Sequence, residues 1–350
     1  MYLEIDGSAG EGGGQILRTS LAMSTLLGKP IKIVKIRSGR RVPGLQAQHL
    51  TCVNALAKIS DADVEGASLG SQELIFVPKS IKHGNYRFDV SDVKASAGSV
   101  SLVLQAILLP LAFADGTSRV TLLGGTHVSW SPPIHYLQMV YFPIAKRMGL
   151  KADIQLKTWG WYPKGGGQVE VEIYPSELHG IDLSLRGNLK NIKGISAISN
   201  LPITIAQRQL ERALSILKSE NLKAEFDIID APSRGQGTAV LIATEFDNSY
   251  AGFSSLGAKG KRAEEVAEEA CKDCIDFIQS YKTVEHYLAD QLVPLIALAK
   301  GYSCFTTSKI SLHLLTNIQV AEQFLPVKFN ISGKQDQTGE VSVDGIGFEK

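Results

Sequence analysis

The chain has 350 residues, of which 44% are apolar, as is typical of a compact soluble protein with one large domain or two medium ones. Lys and Arg total 36 against 35 acidic residues, which excludes a uniformly basic nucleic-acid coat protein. The longest apolar stretch, residues 100–114, is too short to cross a bilayer and contains Gln105 and Pro110. The N-terminus lacks signal-peptide features, so we expect a cytoplasmic protein without membrane association.

Residues 1–80 predict a unit with the order strand, helix, strand, helix, strand, strand. Gly28 and Pro30 end its first helix. Gly70-Ser71 is a turn signal between its last two strands. The predicted elements are strand 1–5, helix 15–27, strand 31–36, helix 45–59 and two strands within 63–77.

The same order recurs twice. The second copy is predicted as strand 86–90, helix 100–114, strand 119–123, helix 133–148 and a hairpin within 151–174. The third copy is predicted as a strand within 180–185, helix 284–300, strand 302–307, helix 312–324 and strands 327–331 and 340–343. Three βαβαββ units at a period of about 90 residues indicate an internal repeat. The fold class is therefore α/β of the α+β type, with one large domain of three repeats.

The third unit is interrupted by a segment that is long enough to bury its own core. We interpret residues 187–281 as a smaller inserted α/β domain, and residues 1–186 with 282–350 as the large domain. The predicted elements of the insert are strand 194–198, helix 205–220, strands 224–229 and 238–244, and helix 262–281. Cys271 and Cys274 form a CxxC inside the last helix, and the sequence favours incidental thiols over a redox or metal site.

A glycine-rich turn, DGSAGEGGGQILR (residues 6–18), joins the first predicted strand to the first helix. Such a turn lets backbone N–H groups approach an anion at the positive end of a helix. It is not a Walker A loop, and Gln15 occupies the third glycine position of GxGxxG. Glu11 is placed where a hard metal ion could bridge to a phosphate, and Arg18 lies one turn into the helix. The alternative is a sharp connection with a capping glutamate.

Three arginines follow the second predicted strand in RSGRRVPGL (residues 37–45), and Gln48 and His49 come soon after. Arginines at a strand end, before a Gly-Pro loop, can bind phosphate in a bidentate manner. A solvated basic loop is an equally good interpretation of this segment alone.

A second glycine-rich segment, YPKGGGQV (residues 162–169), lies between the strands of the predicted hairpin. Its three consecutive glycines exceed the needs of a turn and favour a close approach to another chain or a ligand. Trp159 and Trp161 could stack on a base, although aromatic residues on edge strands more often only pack.

The segment HYLADQ (residues 286–291) is predicted to be helical, which groups Tyr287, Asp290 and Gln291 on one face. An acid, an amide and an aromatic ring on one face are typical of the wall of a binding site. A merely amphipathic helix is the alternative.

The segment SLHLLTNI (residues 311–318) carries the residue of greatest interest. His313, Thr316 and Asn317 share a helix face at positions i, i+3 and i+4. A neutral imidazole is a competent nucleophile near pH 7, and a partner on its second ring nitrogen would fix the tautomer. A lone histidine on an apolar helix is, however, usually a satisfied core residue.

Together these segments resemble RNA 3′-terminal phosphate cyclase. The resemblance runs from Glu4 to about Val343 and includes the order of the motifs and the inserted domain. YPKGGGQV is similar to the family signature, and DGSAGEGGGQILRT and HLLTN match about as closely. The resemblance implies a three-repeat fold whose unit also occurs in enolpyruvyl transferases such as EPSP synthase. One segment departs from the family: THVSW (residues 126–130) replaces the small polar run expected before Pro132.

The resemblance also implies roles for the matching residues. His313 is implied to be the nucleophile that takes AMP, and Glu11 to serve the metal ion. The residues implied to bind ATP, with the tyrosine ring against adenine, are Gln105, Pro132, Tyr287, Leu288, Ala289, Asp290 and Gln291. The residues implied to bind phosphate or the RNA end are Arg18, Arg37, Arg40 and Gln48.

The implied reaction uses ATP as a substrate, Mg²⁺ or Mn²⁺, and an RNA with a 3′-phosphate end. The AMP on His313 passes to the RNA phosphate, and the neighbouring 2′-OH then closes a 2′,3′-cyclic phosphodiester. Ring closure is intramolecular, so the enzyme mainly activates and positions. The required 2′-OH implies RNA rather than DNA.

Two other classes share this fold. A non-catalytic relative that acts in ribosome assembly should lack the nucleophile, and His313 argues against it. An enolpyruvyl transferase is disfavoured by the inserted domain and by the histidine helix. The insert also carries one basic cluster, Lys259, Lys261 and Arg262, which is either a solvated helix start or a contact to the RNA body.

Overall fold

The computed structural model describes residues 2–349, so Met1, with which the first predicted strand begins, lies outside the described residues. The strands are β1 (Leu3–Asp6), β2 (Ile31–Val34), β3 (Asp63–Glu65), β4 (Leu74–Val77), β5 (Asn85–Asp89), β6 (Ser118–Gly124), β7 (Ala152–Thr158), β8 (Gly167–Ile173), β9 (Asp182–Leu183), β10 (Leu189–Ser199), β11 (Glu225–Asp230), β12 (Gly237–Phe246), β13 (Tyr250–Leu256), β14 (Lys300–Thr307), β15 (Asn330–Gly333) and β16 (Gly339–Ile346). The helices are α1 (Gly14–Leu27), α2 (Ala47–Ser60), α3 (Val100–Ala112), α4 (Ile134–Tyr136), α5 (Phe142–Arg147), α6 (Ile203–Ser219), α7 (Ala263–Ser280), α8 (His286–Leu298) and α9 (Leu312–Phe324).

Local chemistry fixes the ends of the helices that matter most for the site. Gly28 ends α1 in the left-handed conformation, at φ +62°. The carboxylate of Glu285 accepts hydrogen bonds from the first backbone N–H groups of α8. The hydroxyl of Ser311 accepts the hydrogen bond of Leu314 N at the start of α9. These side chains satisfy N–H groups that a helix start leaves free, which holds α8 and α9 at their N-termini.

Three four-stranded sheets have one strand order, namely β1-β2-β4-β3, β5-β6-β8-β7 and β9-β14-β16-β15. In each sheet the first two strands are parallel and the other neighbours are antiparallel. Their helices pack on one another, with α1 against α2, α3 and α9, and α8 against α9. The apolar helix α3 is buried on most sides because it lies inside this shared core. Among the helices within residues 2–349, none has both the length and the apolar character needed to cross a membrane.

The fourth sheet, β11-β10-β12-β13, belongs to residues 189–256. Helices α6 and α7 pack on one face of it, around a core of its own. Cys271 and Cys274 are free, buried thiols in this core, and burial raises the pKa of Cys271 to about 12. That environment supports incidental thiols. The residues of the other face, including Ile195 and Leu241, pack against Trp159 and Trp161.

The structure differs from the sequence-based expectation in three places. Strand β13 was not predicted, because its small residues give a weak strand pattern. Those small residues are needed there, since a Cβ atom added at Gly252 would lie 2.7 Å from Val140. The predicted helix 133–148 contains a π-helical segment, Leu137–Tyr141, between α4 and α5. The strand predicted at 327–331 lies later, at Asn330–Gly333.

Candidate active site

The N-terminal ends of α1, α8 and α9 meet around His313, the second residue of α9, which is solvent exposed. Its Nδ1 atom donates a hydrogen bond to Oε1 of Gln15. The amide of Gln15 in turn donates to the carboxylate of Asp290, with Nε2 3.3 Å from Oδ2. Because Nδ1 carries the proton in this arrangement, Nε2 of His313 keeps its lone pair. The sequence anticipated a partner that fixes the tautomer, and that partner is Gln15.

Electrostatics keep this imidazole neutral. Partial desolvation lowers the pKa of His313, and the positive charges of Arg18 and Arg40 lower it further. Burial raises the pKa of Asp290 to about 8, the nearby Glu285 adds to this, and Gln15 and Arg18 oppose it. A neutral histidine and a carboxyl group of strongly raised pKa in one cleft are typical of functional sites.

The two residues that share a face with His313 hold the surrounding segments together. The hydroxyl of Thr316 accepts a hydrogen bond from Glu11 N at 3.0 Å. Asn317 accepts one from Thr19 Oγ1 at 2.7 Å and donates one to the backbone oxygen of Asp290 at 2.8 Å. Thus α9 binds the glycine-rich turn, α1 and α8 through side chains of this one face.

The glycine-rich turn ends at an uncapped helix start. Gly10 and Gly12 have φ values of +55° and +61°, and a Cβ atom at Gly10 would clash with Thr316. Gly13 is the N-cap residue of α1, and it offers no side chain to the first backbone N–H groups. The first turn contains no acidic residue either. The alternative role of Glu11 as a capping residue therefore does not hold, and the free N–H groups form a site for an anion.

Glu11 instead contacts the arginine loop. Its carboxylate forms an ion pair with Arg40, which also donates to the backbone oxygen of Glu11 at 2.9 Å. Its second oxygen, Oε2, is buried and has no hydrogen-bond partner within residues 2–349. A buried carboxylate oxygen without a partner is costly, so this atom is suited to a cation or a donor that arrives with a ligand.

The other predicted phosphate-binding residues lie in the arginine loop and in the first turn of α2. Arg37 adopts φ +52°, and its Nη1 donates to the backbone oxygens of Val42 and Gly44 at 2.8 and 2.9 Å. Gln48 accepts the hydrogen bond of Ser99 N at 2.8 Å. Arg37 and Gln48 line a cavity of about 620 Å³ together with His49 and Lys94. Arg37 is thus held against its own loop and lines the cavity, while residues 38–43 of the loop are exposed.

Arg18 lies behind the glycine-rich turn, beside His49. A Cβ atom at Gly14 would lie 2.7 Å from Arg18 Nη1 and would also clash with the imidazole of His49. Burial lowers the pKa of Arg18, and its guanidinium makes no hydrogen bond in the part of the chain that the structure describes. Burial and then the charges of Arg18 and Arg37 lower the pKa of His49 to about 3. A positive, incompletely paired guanidinium below the helix start suits a phosphate.

The predicted ATP-binding residues fall into two groups. Gln105 donates to Gln291 Oε1 at 2.8 Å, and Gln291 donates to the backbone oxygen of Tyr287 at 2.7 Å. The ring of Tyr287 is exposed, so it can receive a base. Leu288 and Ala289, in contrast, are fully buried in the core, so their side chains support the helix and do not line the cleft.

Pro132 lies half-buried in the loop before α4. This loop is connected to the Tyr287 helix, because Tyr136 of α4 donates a short hydrogen bond to Glu285, the N-terminal cap of α8. Burial raises the pKa of Glu285 to about 7. This hydrogen bond ties the helix that follows Pro132 to the start of the helix that carries Tyr287 and Gln291.

Residues 9–331 match the family described as RNA 3′-terminal phosphate cyclase. The chain belongs to the RNA 3′-terminal phosphate cyclase family. It is 45% identical to an RNA 3′-terminal phosphate cyclase of Nostoc punctiforme over 326 residues, which cover 92% of this chain and 94% of the relative. A relative of the same name from Ignicoccus hospitalis is 40% identical over 356 residues, covering 99% and 100%. Another from Pyrobaculum aerophilum is 41% identical over 353 residues and covers both chains fully.

Within this cyclase-family chain, the segment THVSW has its own packing. His127 is buried, stacks on Trp159 with ring centroids 3.9 Å apart, and lies 3.0 Å from the ring nitrogen of His135. Trp161 donates to Ser199 at 2.8 Å and is also buried. Both tryptophans therefore pack and cannot stack on a base. Trp130, at φ +64°, is 97% exposed at the rim beside Pro132.

The sequence patterns did not identify two contributors to the candidate site, Gln15 and His49. Gln15 was noted only for breaking the GxGxxG pattern, and His49 only for following the arginine loop. An amide in place of a glycine at a helix start was the available signal for Gln15. In the insert's basic cluster, Lys261 contacts Glu269 and Arg262 contacts Glu265, whereas Lys259 is exposed and has no hydrogen bond or ion pair within residues 2–349. The two paired side chains favour a solvated helix start.

A metal ion is implied by the cyclase family. No group of three or more His, Cys, Asp and Glu residues that could hold a metal ion occurs between residues 2 and 349. Mg²⁺, however, commonly binds through one or two carboxylates together with the phosphates of a substrate. Glu11, with its buried Oε2 lacking a partner, fits that mode of binding.

Proposed function

We propose that this protein uses ATP to convert an RNA 3′-terminal phosphate into a 2′,3′-cyclic phosphodiester, through AMP bound covalently to His313. The observation that carries the proposal is the chain of hydrogen bonds from His313 to Gln15 to Asp290. It orients an exposed, neutral imidazole next to an uncapped helix start and two arginines. A non-catalytic relative would not need such an oriented nucleophile.

In the first step, Nε2 of His313 attacks the α-phosphorus of ATP. A P–N bond forms, the bond from the α-phosphorus to the pyrophosphate oxygen breaks, and pyrophosphate leaves. Gln15 Oε1 accepts the hydrogen bond from Nδ1–H throughout and stabilises the positive charge that develops on the ring. The free N–H groups at the start of α1, with Arg18 and Arg40, supply the positive field for the phosphates.

In the second step, an oxygen of the RNA 3′-phosphate attacks the phosphorus of the adenylate and displaces His313, which gives RNA(3′)pp(5′)A. In the third step, the 2′-OH loses its proton and attacks the 3′-phosphorus, and AMP leaves. Arg37, Arg40 and Gln48 are proposed to hold the RNA phosphate, because Arg37 and Gln48 line the cavity of about 620 Å³ and Arg40 pairs with Glu11. Ring closure is intramolecular, so positioning of the 2′-OH supplies most of the acceleration.

The adenosine of ATP is proposed to lie against α8. The exposed ring of Tyr287 would stack on adenine opposite Pro132, and Gln105, Asp290 and Gln291 would supply polar contacts. Glu11 would hold Mg²⁺ or Mn²⁺, which when bound neutralises charge on the phosphates.

We further propose that the three sheets are copies of one βαβαββ unit, as in the fold shared with EPSP synthase. The common strand order supports this assignment. Residues 187–281 are proposed to be an inserted domain, with residues 1–186 and 282–350 as the large one. The separate core under α6 and α7 supports the division.

The proposal is tested by incubating the protein with ATP labelled at the α-phosphate and isolating the denatured protein. Wild-type protein should carry an acid-labile, alkali-stable label, as a phosphoramidate does, and His313→Asn should carry none. His179→Asn is the matched control, because His179 is exposed and lies outside the site. Label on the His313→Asn variant, or its loss from the His179→Asn variant alone, would contradict the proposal.

A further inference from the structure

The glycine segment of the hairpin (residues 164–167) lies between the second unit and the insert. A Cβ atom at Gly165 would lie 3.1 Å from the Cα atom of Ala97, and Gly165 has φ +62°. A Cβ atom at Gly166 would lie 3.1 Å from Cδ of Arg234 in the insert. The glycines therefore let two other segments of the same chain approach closely, so the surface formed by all three segments is continuous.

Three cations lie on this continuous surface. Lys94 precedes the Ser96–Ala97 segment by two residues, Lys164 begins the glycine segment, and Arg234 contacts its other side. All three side chains are exposed, and none has a hydrogen bond or an ion pair among residues 2–349. We call Lys94, Lys164 and Arg234 the cation track.

The cation track begins at the proposed active site. Lys94 lines the cavity of about 620 Å³ that Arg37, Gln48 and His49 also line. From there the glycine segment leads to the insert. The path thus connects the site of the RNA 3′-phosphate to the surface between the two domains.

Two hydrogen bonds join the hairpin to the insert loop that carries Arg234. Trp159 N donates to Pro232 O at 2.9 Å, and Trp161 donates to Ser199 at 2.8 Å, which fixes the insert loop on the hairpin. Exposed cations without carboxylate partners, carried on segments that are fixed to one another, favour an anionic ligand of extended shape. Tyr162, 78% exposed beside Lys164, adds a ring on which a base can stack.

We propose that Lys94, Tyr162, Lys164 and Arg234 bind the single strand of the RNA on the 5′ side of its 3′-phosphate. The inference rests on the proposed function, which places the 3′ end beside His313. It assigns the insert a contribution through Arg234 rather than through the paired cluster at Lys261 and Arg262. The residues act on the strand and not on nucleotidyl transfer, so the adduct on His313 should not depend on them.

The test compares wild type with the triple variant Lys94→Gln, Lys164→Gln, Arg234→Gln. Binding of a fluorescent, 3′-phosphorylated single strand of about 12 nucleotides is measured by anisotropy without ATP, at several salt concentrations. Each phosphate contact contributes about 0.7 to the slope of log affinity against log salt, so the variant should lose roughly 2 from that slope. Over a fourfold rise in salt, wild-type affinity should therefore fall about twentyfold more than that of the variant.

A control triple variant, Lys58→Gln, Lys151→Gln, Lys218→Gln, removes the same charge from exposed residues that also lack partners within residues 2–349. Each lies at the far end of α2, β7 or α6, about 16 to 23 Å along that element from its end near the track. The control should bind RNA as wild type does. The α-labelled adduct should form normally in both variants, which shows that each is folded.

The outcomes separate the track from the proposed chemistry. An unchanged salt slope in the track variant, or an equal loss in the control variant, overturns the track. An equal loss of affinity for a 3′-phosphorylated dinucleotide overturns it too, because the cations would then serve the terminal phosphate. If wild-type protein forms no adduct, the proposed function fails, while the anisotropy measurement still decides whether these residues bind a strand.

Discussion

Gln15 provides the sharpest test of how His313 is activated. Gln15 is 8% exposed and makes two hydrogen bonds, one from Nδ1 of His313 and one to Asp290. Gln15→Leu removes both while nearly keeping the volume. A hydrogen bond contributes about 1 kcal/mol, and a buried group left without a partner costs about 1–3 kcal/mol. A loss of roughly 1.4–2.7 kcal/mol from the activated complex corresponds to about a 10- to 100-fold slower reaction.

The assay is single-turnover formation of the labelled adduct at saturating ATP, followed across pH. Gln15→Leu should slow the reaction by about 10- to 100-fold. Gln15→Glu keeps an acceptor for Nδ1 and should retain more activity than Gln15→Leu. Its carboxylate would raise the pKa of His313, so the pH below which the rate falls should move upward.

Thr19→Val is the matched control, because it removes a buried hydrogen bond between α1 and Asn317 one turn from Gln15. It should lower thermal stability slightly and leave the adduct rate near that of wild type. An unchanged rate and pH profile in Gln15→Leu would refute the reasoning. An equal slowing in Thr19→Val would also refute it, since helix packing rather than the tautomer would then set the rate.

Three further predictions concern stability. The pKa of Asp290 is about 8 in the folded protein against an ordinary 3.8, so the folded state loses stability as pH rises from about 4 to 8. The melting temperature of Asp290→Asn should therefore decline less over that range than the melting temperature of wild type. For His135 the pH dependence is reversed, because its pKa is lowered from 6.5 to about 4 and wild-type stability should fall as pH falls through this window. The free energy of unfolding in urea should fall less over the same window for His135→Phe. Gly165→Ala and Gly28→Ala both place alanine at φ +62°, a strain of about 1–2 kcal/mol, but only Gly165 lies against Ala97. Gly165→Ala should therefore have the lower denaturation midpoint, and equal midpoints would contradict the close approach.

Much of the site could be predicted because its chemistry is local in the chain. Helical spacing alone placed His313, Thr316 and Asn317 on one face, and the structure confirms that this face contacts the glycine-rich turn and α8. The bounds of α9 agree with the predicted helix 312–324, because its capping serine and apolar period are both close in sequence. The apolar face predicted for α8 is also confirmed, because Leu288 and Leu292 lie in the core.

What the sequence could not determine depends on distant segments that meet only in the folded chain. Gln15 and His313 are 298 positions apart, so no periodic pattern could pair them. The sequence did not determine whether Trp159 and Trp161 stack on a base or only pack. The insert sheet covers both rings, so they pack. Lys261 and Arg262 of the insert have partners, whereas Lys94, Lys164 and Arg234 have none within residues 2–349, and charge alone cannot distinguish the two sets. The sequence by itself determined which residues can do the chemistry, because residue type and local spacing set that. Only the tertiary structure decided which of them meet, because pairing and burial arise from contacts between elements far apart in the chain.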